Sequence, residues 1–130
     1  MPQTIQQSVT LPATADRLFE MYLDPEGHEA ITGAPVTISP EPGSEFRAFN
    51  GALSGRMLLT APRIIVQSWR ANHWHADDLD SILVLTFWPA GASGRIELVH
   101  TNVADHDAQE VTEGWDKYYW KPWQRYLQRR

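Results

Sequence analysis

The segment His73-Trp74-His75, followed by Asp77 and Asp78, holds the side chains best suited to binding a metal ion. Imidazole and carboxylate groups are common ligands of zinc and other transition metals. The two histidines would share one face of a strand, but the spacing fixes no third ligand. We therefore interpret the segment as a solvated loop between strands, and predict no metal site and no cofactor.

His100 is a candidate for a buried functional imidazole. It falls at even spacing with Ile96 and Leu98, so its ring should lie on the apolar face of a strand. In that position it could act as a general base or form a hydrogen bond to a ligand. The plainer interpretation, which we favour, is a core histidine whose hydrogen bonds are satisfied within the protein.

A third polar group, His106, Asp107 and Glu110, could suggest acid–base chemistry. Its position at the start of a predicted helix offers a structural explanation. Asp107 with Glu110 three residues later has the outline of a capping box, with Asp in place of the usual Ser or Thr. We interpret these side chains as helix caps.

The sequence shows no motif for nucleophilic catalysis. No serine lies in a Gly-x-Ser-x-Gly turn, and the sequence has neither a phosphate loop nor a dinucleotide fingerprint. With no cysteine, it also lacks a thiol nucleophile, a disulfide and a thiolate metal site. We predict no catalytic residue, and an enzyme of the cyclase or hydrolase type with His100 as base is our weakest hypothesis.

The elements that must position these residues follow from apolar periodicity and turn signals. Alternation predicts a first strand over 4–11, and two short helices follow it, with Thr14 and Asp24 as N-caps and Gly33 at the end of the second. Asn50-Gly51 predicts a type I′ hairpin turn. The further strands are predicted over 46–49, 52–60, 64–71, 81–88 and 95–103.

The remainder, 107–128, is predicted to form one long helix. Its apolar residues recur every three or four positions and form a broad aromatic face that includes Trp115 and Tyr119. Pro122 should bend the last turns. Trp120 lies off the aromatic face, so we expect it to be exposed and to contact a protein partner.

These elements predict a single α+β domain over 1–130 with a helix-grip architecture. A curved antiparallel sheet of about six to seven strands is covered by the long C-terminal helix. The space between them is either filled by side chains or left as a pocket. The candidate pocket residues are Trp69, Leu85, Phe87, Leu98, His100, Trp115 and Tyr119.

Charge and composition narrow the choice of partners. The net charge of −5 provides no positive field for nucleic acid. No apolar run approaches the roughly 20 residues that span a membrane, and 1–7 lacks the order of a secretory signal. We therefore expect neither nucleic acid nor membrane as a partner, and the absence of cysteine favours the cytoplasm.

Several short motifs together carry a family resemblance. They are Asp24-Pro25, Phe49-Asn50-Gly51 through Ser54-Gly55, Ile65-Val66-Gln67-Ser68-Trp69-Arg70, Leu85-Thr86-Phe87, and Glu113-Gly114-Trp115 running to Tyr118-Tyr119-Trp120. From about Phe19 to Leu127 the chain resembles the homologues of the activator of heat-shock protein 90 ATPase, within the START-like (SRPBCC) superfamily. The family's paired glycines before the third strand appear here as Gly43-Ser44.

The resemblance implies a START-like fold and two non-enzymatic functions. One is a stress-related binding domain similar to the chaperone ATPase activators, with a chaperone or another protein as partner. The other is a carrier or sensor that holds a small hydrophobic ligand between sheet and helix. The eukaryotic activators join such a domain to a separate N-terminal domain, whereas we expect a stand-alone domain of the C-terminal type here.

Overall fold

The computed structural model describes residues 1–129. These residues form seven strands, two short helices near the N-terminus and a helical region at the C-terminal end. The N-terminal part contains β1 (Gln3–Leu11), α1 (Ala15–Leu23), α2 (Pro25–Thr32) and β2 (Val36–Thr37). The remainder contains β3 (Glu45–Ala48), β4 (Leu53–Ala61), β5 (Ile64–Ala71), β6 (Ser81–Ala90), β7 (Ser93–Val103), α3 (Ala108–Trp115), a π-helical segment (Asp116–Trp120) and α4 (Lys121–Gln128).

The strands form one antiparallel sheet in the order β1-β7-β6-β5-β4-β3-β2. Side chains along β5, β6 and β7 alternate between buried and more exposed, so one face of the sheet forms the core and the other faces outward. The predicted α+β helix-grip architecture is confirmed. Over residues 1–129, no helix is both long and apolar enough to cross a membrane.

The two short helices begin and end where their capping residues predict. The side chain of Thr14 accepts a hydrogen bond from the backbone N–H of Arg17 at 3.2 Å, and Asp24 accepts one from Gly27 at 2.8 Å. Gly33 ends α2 in the left-handed conformation, with a φ of 78°. Local hydrogen bonds therefore fix the boundaries of both helices.

The hairpin between β3 and β4 is wider than the predicted two-residue turn. Ala48 pairs with Leu53, which leaves a four-residue loop. Asn50 and Gly51 have the positive φ angles expected of them, 57° and 86°, but Phe49 also adopts a φ of 53°. A bulky residue in this region is strained. The ring of Phe49 is partly buried and packs against the rings of Tyr118 and Tyr119.

The glycine of the Ser54-Gly55 motif is required because β4 and β5 approach each other closely at this position. A Cβ atom at position 55 would lie 1.9 Å from the backbone oxygen of Ser68. Real Cβ atoms do not approach backbone this closely, so only glycine allows the two strands to pair here. Next to this contact, the Ser68 hydroxyl accepts the N–H of Arg56 at 2.8 Å.

The final three helical segments form one continuous helix, 108–128, which we call the closing helix. A 3₁₀ turn over Asp105–Asp107 leads into it. A π-helical segment directly precedes Pro122, the residue at which the sequence predicts a bend, and at its end the N–H of Lys121 bonds to the carbonyl of Asp116. A regular α-helix would have brought the ring of Pro122 against the carbonyl of Tyr118, and the wider turn before it relieves that contact.

Candidate functional site

A cavity of about 380 Å³ lies between the closing helix and the sheet. It opens beside the tip of the β3–β4 hairpin and the end of β5. The part of the helix that covers it comprises α3 and the π-helical segment. Its lining is mostly apolar and includes Phe49, Ala52, Leu53, Trp69, Ala71, Asn72, His73, Asp107, Glu110, Val111, Gly114, Trp115, Tyr118 and Tyr119.

Aromatic rings form the inner wall and the rim of the cavity. Trp69, Trp115 and Tyr119 are buried, and the rings of Trp115 and Tyr119 lie 4.8 Å apart. At the rim, the rings of Phe49 and Tyr118 meet at 5.6 Å, and Tyr118 is 48% exposed. The site therefore has a buried aromatic interior and a partly exposed aromatic rim.

Polar side chains gather at one end of the cavity, where Asn72, His73, Asp107 and Glu110 line it. Asp107 is buried, and its Oδ2 accepts a hydrogen bond from the indole N–H of Trp74 at 2.8 Å. The same oxygen lies 3.1 Å from Nε2 of His73. Asp107 thus joins the β5–β6 loop, residues 72–80, to the start of the closing helix.

The capping-box prediction for Asp107 is wrong. Asp107 does occupy the N-cap position of α3, but its side chain makes no capping hydrogen bond. Its carboxylate is turned towards Trp74 instead, because the loop brings a buried indole N–H that needs an acceptor. Glu110 is exposed at the end of the cavity.

Of the seven predicted pocket residues, Trp69, Trp115 and Tyr119 line the cavity. The other four are buried outside its lining. Phe87 packs edge-on against Phe19 of α1 at 5.6 Å, and Leu85 and Leu98 are paired neighbours on β6 and β7. His100 does not line the cavity, but its hydrogen-bond partner Trp115 does.

His100 belongs to a chain of buried hydrogen bonds. Its Nδ1 accepts from the indole N–H of Trp115 at 3.2 Å, so Nε2 carries the proton and donates to Oγ of Ser81 at 2.8 Å. The Ser81 hydroxyl then donates to the carbonyl of Trp69 at 2.6 Å. Burial lowers the pKa of His100 to about 3. Both ring nitrogens are occupied, as expected of a core histidine.

A second buried histidine, His28, was not identified from the sequence. Its Nδ1 donates to the carbonyl of Tyr22 and its Nε2 accepts from the hydroxyl of Tyr119, both at 2.8 Å. Burial lowers the pKa of His28 to about 4, although the bond to Tyr22 opposes that shift. This network holds the ring of Tyr119 in the cavity wall. No sequence pattern predicts it, because the apolar spacing in α2 is too short to mark His28 as buried.

The predicted exposure of Trp120 is wrong. Trp120 is only 7% exposed, stacks on Trp115 at 5.5 Å, and donates its indole N–H to Gln7 Oε1 at 2.7 Å. The π-helical turn rotates it inward, because residues five apart share a face where hydrogen bonds run from i to i+5. Among the six tryptophans, all within the described residues, Trp88 alone is exposed, at 47%.

The fold brings a further histidine, His106, to the β5–β6 loop, whose own spacing fixed no third metal ligand. His106 Nε2 lies 2.7 Å from Asp78 Oδ2, and its ring stacks on that of His75 at 4.2 Å. The hydrogen bond to Asp78 raises the pKa of His106, and the same bond lowers the pKa of Asp78. The sequence pattern predicts a helix cap that includes His106, whereas in the structure the His106 ring contacts Asp78 of a distant loop.

Comparisons with known proteins relate this fold to solved structures. A family model described as "Activator of Hsp90 ATPase homolog 1-like protein" matches residues 12–128. A crystal structure of an HSP90 activator from Plasmodium falciparum is 18% identical, with a TM-score of 0.80 and 91% of each chain covered. No curated protein sequence matches the chain.

Two bacterial structures are similar to the same extent. CalU16 from Micromonospora echinospora is 20% identical, with a TM-score of 0.81, and the alignment covers 98% of this chain and 77% of that one. A protein from Chromobacterium violaceum is 20% identical, with a TM-score of 0.77, and 99% and 100% are covered. At these identities the likeness shows a common fold.

Proposed function

The chain belongs to the activator of Hsp90 ATPase homolog 1-like family, and we propose that it serves as a binding domain for a small hydrophobic ligand. The observation that carries this proposal is the cavity of about 380 Å³ under the closing helix. Sites for small molecules commonly measure roughly 300–1,000 Å³, and are mostly apolar with a few polar groups. This cavity lies at the lower end of that range.

The lining indicates the chemistry of the ligand. Trp69, Trp115 and Tyr119 offer ring faces and edges to an aromatic or aliphatic body. His73 and Glu110, both exposed at one end, offer a hydrogen-bond donor or acceptor and a negative charge to a polar group. We infer a small apolar molecule with one hydrogen-bonding or cationic end.

Gly114 provides a sharp test, because it lines the cavity within a helix. A Cβ added there would meet only the Tyr118 ring, at 3.6 Å, which is an ordinary contact. Gly114→Leu should therefore fill part of the cavity without displacing backbone. Gly114→Ala is the matched control, since it adds one carbon and leaves most of the space.

The measurement is titration of the purified native protein with an uncharged apolar fluorescent dye, N-phenyl-1-naphthylamine, followed by displacement with a panel of small aromatic and aliphatic compounds. We expect one saturable site per chain in the wild type and in Gly114→Ala, and loss of that site in Gly114→Leu. Dye binding that is unchanged in a folded Gly114→Leu variant would show that the cavity is not a ligand site.

A second candidate function is stimulation of a chaperone ATPase. It is favoured by the family, and by the similarity to a Plasmodium protein that is described as an HSP90 activator. Trp88, exposed on the outward face of the sheet, is the side chain best placed to contact a protein partner. This candidate assumes the cytoplasmic location that the lack of cysteine favours.

An ATPase assay with the chaperone from the same host distinguishes the two candidates. Stimulation that survives Gly114→Leu but is lost in Trp88→Ala supports the chaperone function. Absence of both stimulation and binding at micromolar concentrations contradicts it. The matched control is Leu79→Ala, which removes an exposed apolar side chain from the β5–β6 loop before the start of β6, whereas Trp88 lies near the end of that strand.

A further inference from the structure

A cluster of metal-ligating side chains lies outside the cavity, between the β5–β6 loop and the 3₁₀ turn before the closing helix. It consists of His75, Asp78 and His106, whose nitrogen and oxygen ligand atoms all lie within 4.8 Å of one another. Asp78 Oδ2 lies 2.7 Å from His106 Nε2 and 3.9 Å from His75 Nδ1. Two imidazoles therefore converge on one carboxylate.

The loop that supplies two of these side chains is held in place by its own contacts. Arg70 donates to the carbonyls of His75 and Asp78, at 2.6 and 2.7 Å, and also pairs with Asp80. The N–H of His75 donates to Asp78 Oδ2 at 2.8 Å. The carboxylate is thus oriented before any ligand arrives, as the outer contacts of metal sites orient their ligands.

The opposite side of the cluster is fixed as well. The buried bond from Trp74 to Asp107 fastens the loop to the residue next to His106. The two elements are far apart in sequence, so their meeting depends on the fold. Because both segments are anchored, the backbone positions of the three residues are set before binding, and only the side chains need to move.

We propose that His75, Asp78 and His106 form a site for a transition-metal ion of the zinc class, with water completing the coordination. Two imidazoles and a carboxylate are the ligand set of many Zn²⁺ sites, whereas Ca²⁺ and Mg²⁺ prefer oxygen ligands alone. With zinc–ligand bonds of roughly 2.0–2.2 Å, tetrahedral ligands lie about 3.3 Å apart. The present separations straddle that value.

Binding requires the two stacked rings to open so that both nitrogens point at one ion. The side chains of His75 and His106 are 67% and 36% exposed, so solvent gives them room to rotate. A single ion pair between His106 and Asp78 would need only one histidine. A metal site requires more ligands than an ion pair, and the imidazole of His75, which faces the same carboxylate oxygen, supplies one.

An ion at this position would tie the β5–β6 loop to the start of the closing helix. Asn72 and His73 of the same loop, and Asp107 beside His106, line the polar end of the cavity. The metal would therefore restrain that end, whether or not the cavity itself takes a ligand.

The test is calorimetric titration of ZnCl₂ into the full chain, prepared without a histidine tag and treated beforehand with a chelator. We expect one Zn²⁺ per chain. Co²⁺ should give the visible absorption of a low-symmetry site with nitrogen and oxygen ligands. Replacing either histidine, in His75→Ala or His106→Ala, should weaken Zn²⁺ binding by at least the roughly 10–100-fold that loss of an outer partner costs a metal site.

His73→Ala is the matched control, because it removes a histidine from the same loop that contacts Asp107 and lies outside the cluster. It should retain the wild-type affinity. The proposal is overturned by the absence of saturable Zn²⁺ binding below about 1 mM, or by an affinity that depends on His73 rather than on His75 and His106. All variants change exposed side chains, so circular dichroism should show an unchanged fold.

Discussion

The closing helix covers the sheet differently in its two halves. In the C-terminal half, Trp120 and Trp123 stack at 6.4 Å, and Trp123 is completely buried. In the N-terminal half, the aromatic rings line a cavity of about 380 Å³. Both halves are rich in aromatic side chains, so aromatic content alone does not decide whether the space is filled.

The difference lies in the small residues among the rings. Ala52 of the β3–β4 hairpin, Ala71 of β5 and Gly114 of the closing helix line the cavity, and their side chains are too short to fill it. Protein interiors are close-packed, so a space of this size persists only where side chains are too short to close it. The stability of the filled C-terminal half should therefore be sensitive to substitutions that remove side-chain volume. The open N-terminal half should tolerate substitutions that add it.

The largest expected effect is in the filled half. Trp123→Ala should lower the free energy of unfolding by about 3–5 kcal/mol, because it removes a fully buried large ring. Chemical denaturation monitored by circular dichroism measures this. Tyr118→Ala, at the half-exposed rim, should cost less than about 1 kcal/mol. Similar losses from the two variants would contradict the comparison.

Acid should destabilise the packed interior through His28 and His100. Both folded-state pKa values, about 4 and about 3, lie below the ordinary 6.5. Between pH 6.5 and these lower values the unfolded chain therefore binds more protons than the folded chain. The stability that comes from keeping the two histidines neutral is fully present above pH 6.5 and is lost as the pH falls below it. For His28, a shift from 6.5 to about 4 corresponds to roughly 3 kcal/mol.

The melting temperature between pH 7 and 4 and the titration of imidazole NMR signals check this prediction. The signal of His106, in the exposed cluster, should titrate above its ordinary value, because its hydrogen bond with Asp78 raises its pKa. Signals of His28 and His100 that titrate near 6.5 in the folded protein would show that the interior is hydrated.

A smaller effect is expected where the cavity ends at Asp107. Asp107→Ala leaves the buried indole N–H of Trp74 without its acceptor, which should cost about 1–3 kcal/mol of unfolding free energy. Glu110→Ala, an exposed neighbour at the same end, should change stability by no more than about 0.5 kcal/mol. Equal effects in denaturant titrations would mean that the bond to Trp74 does not anchor the loop.

The smallest effect is a gain in the open half. Gly114→Ala should raise the free energy of unfolding by about 0.5–1 kcal/mol, since alanine is the better helix former and its Cβ would meet Tyr118 at an ordinary 3.6 Å. Thermal unfolding measures the change. Destabilisation instead would show that the helix packs more tightly over the cavity than this geometry indicates.

Local signals explain the parts of the fold that could be predicted. Thr14, Asp24 and Gly33 act within a few residues of themselves, so the short helices were placed correctly. Period-two alternation likewise located β5, β6 and β7, because one face of each strand is buried. The width of the β3–β4 hairpin was missed, because Phe49 gives no sign of a positive φ.

The candidate sites were harder to predict, because their residues meet across long stretches of sequence. Of the pocket residues, only Trp69, Trp115 and Tyr119 line the cavity, since burial on a strand does not show which part of the sheet the helix leaves open. Asp107 resembled a cap but bonds to Trp74 from a distant loop. His106 likewise meets Asp78 only in the folded chain.

For the closing helix, the sequence determined its extent and its aromatic face, through apolar spacing and the absence of an early break. Tertiary structure decided where Trp120 lies. The wide π-helical turn before Pro122 places Trp120 on the same face as Trp115, five residues earlier, and the core accepts its ring. A regular period of 3.6 residues could not reveal this rotation, because it depends on one local irregularity and on the space beneath the helix.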